Sequence, residues 1–197
     1  MKRKQTGFSL VELVIVIIVV GLLAAAALPR FLQITDEAKK ASIEGVAGGY
    51  ATAVLSARAQ WEAYGRPVDT NGDYKVNYDG TDFALTKATD DNTVRDGYPF
   101  ALETSSTGDV SSVTGSDCLA LIDNLLQNPP QATVSQADAA KGNFLFYVKA
   151  DGSDASKFCR YYQLASAGTN GAGSTDVEAG HSFTYTPALG RVEVNLK

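Results

Sequence analysis

From Phe8 to Leu28 the chain runs FSLVELVIVIIVVGLLAAAAL, and only Ser9, Glu12 and Gly21 in it fall outside the aliphatic and aromatic set. Coiled as an α-helix, this stretch would measure about 30 Å, the hydrocarbon thickness of a bilayer. It is long enough to span. Lys2, Arg3 and Lys4 precede it, and the positive-inside bias keeps that end in the cytoplasm while the bulk of the chain lies outside the inner membrane. A secretory signal peptide, removed whole, is the plainer alternative. Its apolar core would be only about 7–15 residues, with a small-residue cleavage site after it. Here the run is longer, and Pro29 and a charged helical pattern follow.

Beyond Pro29 the pattern changes period. Ala38, Ala41, Ile43, Val46, Tyr50, Ala53, Ala57, Trp61 and Tyr64 recur at intervals of three and four, with Glu37, Lys39, Lys40, Glu44, Arg58 and Glu62 largely between them. This is an amphipathic helix. Gly65-Arg66-Pro67 should end it, glycine as a left-handed cap and proline as a bar to continuation. From Phe8 to Tyr64 the helix would reach roughly 85 Å, so its apolar half must project while its amphipathic half packs on something. Pro29 removes the hydrogen bond to the Ala25 carbonyl, and a kink or local break is expected there. Gly45, Gly48 and Gly49 each weaken the helix by about 1 kcal/mol relative to alanine; close packing of sheet or loop explains them better than a hinge.

Between Pro67 and Gly115 the chain is rich in Asp, Asn, Thr, Ser and Gly, and reads as a long ornamented connection with short β-prone pieces at 74–76 and 83–85. Asp117 to Leu126 is a short helix with an acid near its start, stopped by Asn128-Pro129-Pro130. Four antiparallel strands follow, at 144–149, 158–164, 182–185 and 191–196, with a Gly/Ser/Thr-rich mobile loop at 165–180. The predicted class is α+β: a long N-terminal helix, apolar projecting half then amphipathic half, packed on a C-terminal antiparallel sheet of about four strands.

Composition narrows the chemistry. At 197 residues the chain holds one ordinary domain with an appendage. A formal charge of −5 offers no basic face for nucleic acid. A single histidine, His181, reads as a loop residue, and no cluster of nucleophile, base and oxyanion donors is visible, so an enzyme on a tether is disfavoured. Two cysteines, Cys118 and Cys159, form an even pair that in an exported domain reads as a disulfide, two unrelated buried thiols being the alternative. Asp69, Asn71 and Asp73 begin a calcium-loop pattern. Tyr74 then stands where that pattern wants glycine, and Gly80 where it wants a bidentate glutamate, so a solvated Asx turn is the commoner outcome and calcium the only cofactor in view.

Glu12 is the residue a plain membrane anchor does not explain. An ionised carboxylate in an apolar helix is costly without a partner, which makes it a functional-site candidate. No cation lies within reach along the helix, since Lys4 is two turns back, so the partner must come from elsewhere.

The string Lys4-Gln5-Thr6-Gly7-Phe8-Ser9-Leu10-Val11-Glu12-Leu13 resembles the class III signal of type IV prepilins: a short basic leader ending in Gly, then Phe, then Glu as the fifth residue after the cut, at the head of an apolar run. The resemblance implies cleavage between Gly7 and Phe8 by the prepilin peptidase, N-methylation of Phe8, and polymerisation of the chain with itself on an inner-membrane assembly platform. It also implies that the Phe8 ammonium of one subunit meets Glu12 of another, a pair suited to fixing register because misaligned subunits leave two uncompensated charges. In filaments it implies melting between Gly21 and Pro29. Loss of the leader lysines and arginine leaves a formal charge of about −8.

The implied organisation is a leader at 1–7, a transmembrane and filament-core helix at 8–28, an amphipathic half at 29–65, and a head at 66–197 with a disulfide loop at 118–159. The whole N-terminal stretch, about the first third of the chain and especially Leu28-Pro29-Arg30-Phe31-Leu32, most resembles pilins of the mannose-sensitive haemagglutinin (MSHA) system. The chain would then sit in the inner membrane before assembly and in an extracellular pilus afterwards, used in attachment to a glycan, host or abiotic surface. A pseudopilin of type II secretion shares the leader and helix and is the second reading; many major pseudopilins lack the disulfide and bind calcium.

Overall fold

The computed structural model describes residues 8–90, 92–104, 109–169 and 173–197. Two compact units emerge, Met1–Lys39 and Lys40–Lys197. Helix α1 is Leu10–Ala63. In the first unit every residue from 8 to 34 is exposed. Leu10, Ile15, Ile17, Leu22 and Phe31 all show more than half their surface, a length and composition sufficient to cross a membrane. Of the kink or local break expected at Pro29, the break is absent, for α1 runs on through it. A proline costs one rung of the ladder, and rungs on either side hold the helix together.

In the second unit α1 buries Ile43, Ala47, Tyr50, Ala53, Val54, Ala57 and Trp61. The expected stripe was slightly misphased: Ala47 and Val54 are buried, whereas Ala41 and Tyr64 are exposed. Nor does packing explain the three glycines together. A methyl placed on Gly45 or Gly48 meets nothing within 4 Å, and only at Gly49 would it touch Leu126, at 3.7 Å. Past Ala63 the chain turns away through Gly65 at φ 77°, where the absence of a Cβ removes the left-handed penalty.

The region expected to be a connection holds a sheet. Strands β1 (Tyr74–Tyr78), β2 (Thr81–Leu85) and β3 (Pro99–Leu102) pair antiparallel in that order. The β1–β2 turn takes Asp79 and Gly80 at positive φ, the tight two-residue hairpin that Asp-Gly favours. Val76, Phe83 and Leu85 point into the core. The strands are only four or five residues long and are set among Asp-, Thr- and Gly-rich turns, so their apolar cores at 83–85 and 99–101 were hidden by the polar composition around them.

Helix α2 (Gly115–Leu125) starts at a reciprocal cap: Asp117 N–H donates to Thr114 Oγ1, and Thr114 N–H donates to the Asp117 carboxylate at 2.9 Å. Strand β4 (Ala132–Thr133), the one-turn helix α3 (Gln136–Ala139), β5 (Phe146–Asp151) and β6 (Phe158–Gln163) follow. The expected mobile loop contains a small hairpin, β7 (Gly168–Thr169) with β8 (Thr175–Asp176), and Val177 beyond it is fully buried. Strands β9 (Ser182–Thr186) and β10 (Arg191–Asn195) complete the main sheet, whose order is β10-β9-β6-β5-β4. The four expected antiparallel strands are there, joined by the short parallel β4.

The inner face of this sheet carries Val148, Tyr161, Phe183 and Tyr185, all fully buried. Tyr50 of α1 lies on them, its ring 5.5 Å from Tyr161, 5.7 Å from Phe183 and 5.3 Å from Tyr185. Each phenol is partnered. Tyr161 O–H donates to the Cys118 carbonyl at 2.9 Å and Tyr185 O–H to the Pro99 carbonyl at 2.7 Å. Since Tyr161 has spent its one proton, Tyr50 is the donor across the 3.1 Å contact between their hydroxyls.

Burial raises the pKa of Tyr50, Tyr161 and Tyr185 above the ordinary tyrosine range. The folded chain therefore holds these protons at a pH where the unfolded chain releases them. Their contribution to stability is complete below about pH 10 and declines above it, by about 1.4 kcal/mol per pH unit for each phenol. Absorbance titration of the nine tyrosines should show three that ionise only on unfolding; ionisation of all nine near pH 10 with the fold intact would contradict this.

Candidate functional site

Ser9 is the N-cap of α1 and Glu12 lies in its first turn. Ser9 N–H donates to Glu12 Oε2 at 2.9 Å, and Glu12 N–H donates to Ser9 Oγ at 3.2 Å. This is a capping box, which satisfies two of the donors that every helix start leaves open and sets a carboxylate at the positive end of the helix dipole. The S-x-x-E spacing was present in the sequence and went unread there. It gives Glu12 a local hydrogen-bond partner in Ser9 that is not a cation. The capped carboxylate keeps Oε1 open among the described residues, so one oxygen remains for a cation from outside the chain.

Gly7 lies outside the described residues. Phe8 is exposed over 83% of its surface, and Gly21 has open space where a Cβ would stand. Glu12, Gly21 and Pro29 are strung along one helix, Glu12 and Pro29 about 26 Å apart at its ordinary rise, and do not converge. Their arrangement is a line, which can meet other helices over its length but cannot form a pocket.

Cys118 and Cys159 are bonded, with Cα atoms 5.4 Å apart. Both are fully buried, and the bond ties α2 to β6. The Tyr161 hydroxyl on the Cys118 carbonyl fastens the same two elements a second time.

Asp69, Asn71 and Asp73 form a turn closed on itself. Asp69 Oδ1 accepts Asn71 N–H at 2.7 Å and Asp73 N–H at 2.9 Å, and the Asp73 bond above all holds the Asp69 carboxyl below its usual range. Gly80, with Asp79, belongs to the β1–β2 hairpin. His181 lies in the loop just before β9, as expected, and is buried there at 6% exposure; its Nδ1 accepts Lys197 N–H at 3.0 Å.

Residues 2–28 match the model of the prokaryotic N-terminal methylation motif. Over 57 residues the chain is 43% identical to the type IV narrow pilus major component PilA5 of Thermus thermophilus, an alignment covering 29% of this chain and 49% of that protein. The chain thus spans about half the length of the curated relative it matches. No solved structure matches it. The motif and the relative both support the type IV pilin family, and with them the prepilin reading of the N-terminal helix.

Opening the loop closed by the cysteines, which are 41 positions apart, by Cys159→Ser should cost about 4 kcal/mol in the chain-entropy model. Denaturant unfolding and limited proteolysis of the full chain in detergent would read this. Unchanged midpoints would show that the tyrosine contacts hold α2 on the sheet unaided.

Proposed function

We propose that this chain is the structural subunit of a type IV pilus of the MSHA-like kind. The leader at 1–7 is cut after Gly7 by the prepilin peptidase, which also methylates Phe8. The subunit waits in the inner membrane with its head outside, and an assembly platform stacks it into a surface fibre used in attachment. The observation that carries this reading is the coincidence, at one helix start, of the methylation-motif match at 2–28 with an apolar helix exposed from residue 8 to residue 34. A stretch so apolar needs lipid before assembly and other helices after it.

Glu12 sets the register in this scheme. The capping box lowers the cost of holding a carboxylate there, and the Phe8 ammonium of a neighbour supplies the charge that only correct stacking delivers. The disulfide-closed head favours a pilus over a secretion pseudopilus, and the Asp69 turn spends its carboxylate on backbone donors where a calcium-binding pseudopilin would need it for the ion.

Mass spectrometry of the mature protein should find Phe8 as the first residue, one methyl on its nitrogen, and a mass two hydrogens below the reduced chain. A Met1 start, or cleavage after Ala27, would overturn the assignment. Separately, Glu12→Ala should insert in the membrane and accumulate there while filaments are lost; normal piliation in that strain would remove the register role.

A further inference from the structure

His181 is the chain's one histidine, and the fold fixes it by its backbone. Its N–H donates to Ser166 Oγ at 2.8 Å, and its carbonyl accepts Gln163 N–H at 2.9 Å. The residue before it fits closely too: a Cβ on Gly180 would stand 2.6 Å from Ser166 Oγ and 2.8 Å from the Gln163 carbonyl oxygen. Earlier in the same segment Val177 is fully buried, closing with Ala139 and Leu164 over Tyr147 and Tyr162 to make a second small core. The stretch from Val177 to His181 is thus a packed seat, and the imidazole is buried on it.

What the ring holds is the chain beyond β10. Leu196 and Lys197 follow that edge strand, which pairs with β9 alone. Lys197 N–H donates to His181 Nδ1 at 3.0 Å, and Lys197 Nζ donates to the Glu178 carbonyl at 2.9 Å. Together the two bonds clasp the end of β10 to the seat. Acceptance by Nδ1 requires the neutral ring with its proton on Nε2. A proton added at Nδ1 would set N–H against N–H, and the amide it meets can only donate.

The charges nearby do not replace that bond. The 164–167 turn and β9 carry none. Glu178 turns its carboxylate to Lys149 Nζ at 2.9 Å and to Tyr162 O–H at 3.3 Å, and Asp176 accepts Glu178 N–H at 3.2 Å. Asp151 lies 3.3 Å from Lys149 and 3.5 Å from Arg160, and on β10 Arg191 lies 3.5 Å from Glu193. Lys197 brings its own positive charge to the clasp.

We infer that His181 is a proton-operated clasp, closed while its ring is neutral and released when the ring is protonated, so that Leu196 and Lys197 leave the seat and the β10 edge loosens. Histidine is the side chain whose charge changes in the weakly acidic range, where exposed carboxylates stay ionised. The bond is therefore present at neutral pH and lost as pH falls. Both partners lie in the second unit, so the clasp does not depend on polymerisation.

Amide hydrogen exchange, read by NMR on the isotope-labelled full chain in detergent, tests it, each rate being divided by its intrinsic value at that pH. Protection of the Lys197 amide should fall about tenfold from about pH 7.5 to about pH 5.5, the loss of one hydrogen bond, while amides of β6 keep theirs. At the upper pH the ring nitrogen shifts should report the Nε2–H tautomer. His181→Asn supplies an amide oxygen, which does not titrate, and should show no such pH dependence; His181→Phe should lack the protection at both ends. Near-ultraviolet circular dichroism checks that the variants keep the fold, and the tautomer reading needs no variant. An Nδ1–H tautomer at neutral pH, Lys197 protection that ignores pH in the unsubstituted chain, or an equal pH-dependent loss in folded His181→Asn would overturn the inference.

Discussion

The second unit is organised around one contact, that of Tyr50 with the inner face of the main sheet. The ring supplies apolar area against three other aromatics, and its hydroxyl begins a relay through Tyr161 to the Cys118 carbonyl. Helix, sheet and disulfide loop thus meet along a single line of buried hydrogen bonds. Such a chain is demanding: fully satisfied it specifies one packing, whereas a missing member leaves a buried polar atom unpaired. That explains why tyrosine rather than phenylalanine stands at each step, and why the disulfide sits where the relay ends.

The first unit answers to a different solvent. Its exposed aliphatic face has no partner among the described residues, and burial in lipid or among other helices is the condition under which such a surface is stable. Glu12 would be out of place there but for Ser9. The reciprocal cap satisfies backbone donors at the helix start and leaves one carboxylate oxygen for an incoming charge. The same residue is thereby both a structural cap in one subunit and, in the proposed fibre, the mark by which the next subunit finds its place.

Function in the proposed scheme divides along the same lines. A stem that only associates and a head that only presents need no shared pocket, and the residues singled out on the helix lie in a row for that reason.

Much of this was legible in order along the chain. The apolar run, its basic flank, the Gly-Phe-Glu register, the end of α1 at Gly65 and the main antiparallel strands depend on local pattern, and local pattern is what a sequence displays. The Ser9 cap was equally local and equally readable. What the tertiary structure alone decided were the relations between distant segments: which face of each strand at 74–102 turns inward, that Ala47 and Val54 belong to the buried stripe, that Val177 closes a second core, and that Lys197 comes to rest on His181. Periodicity tells which residues share a face; which other face they meet depends on chain folding over tens of residues, and no local spacing encodes it.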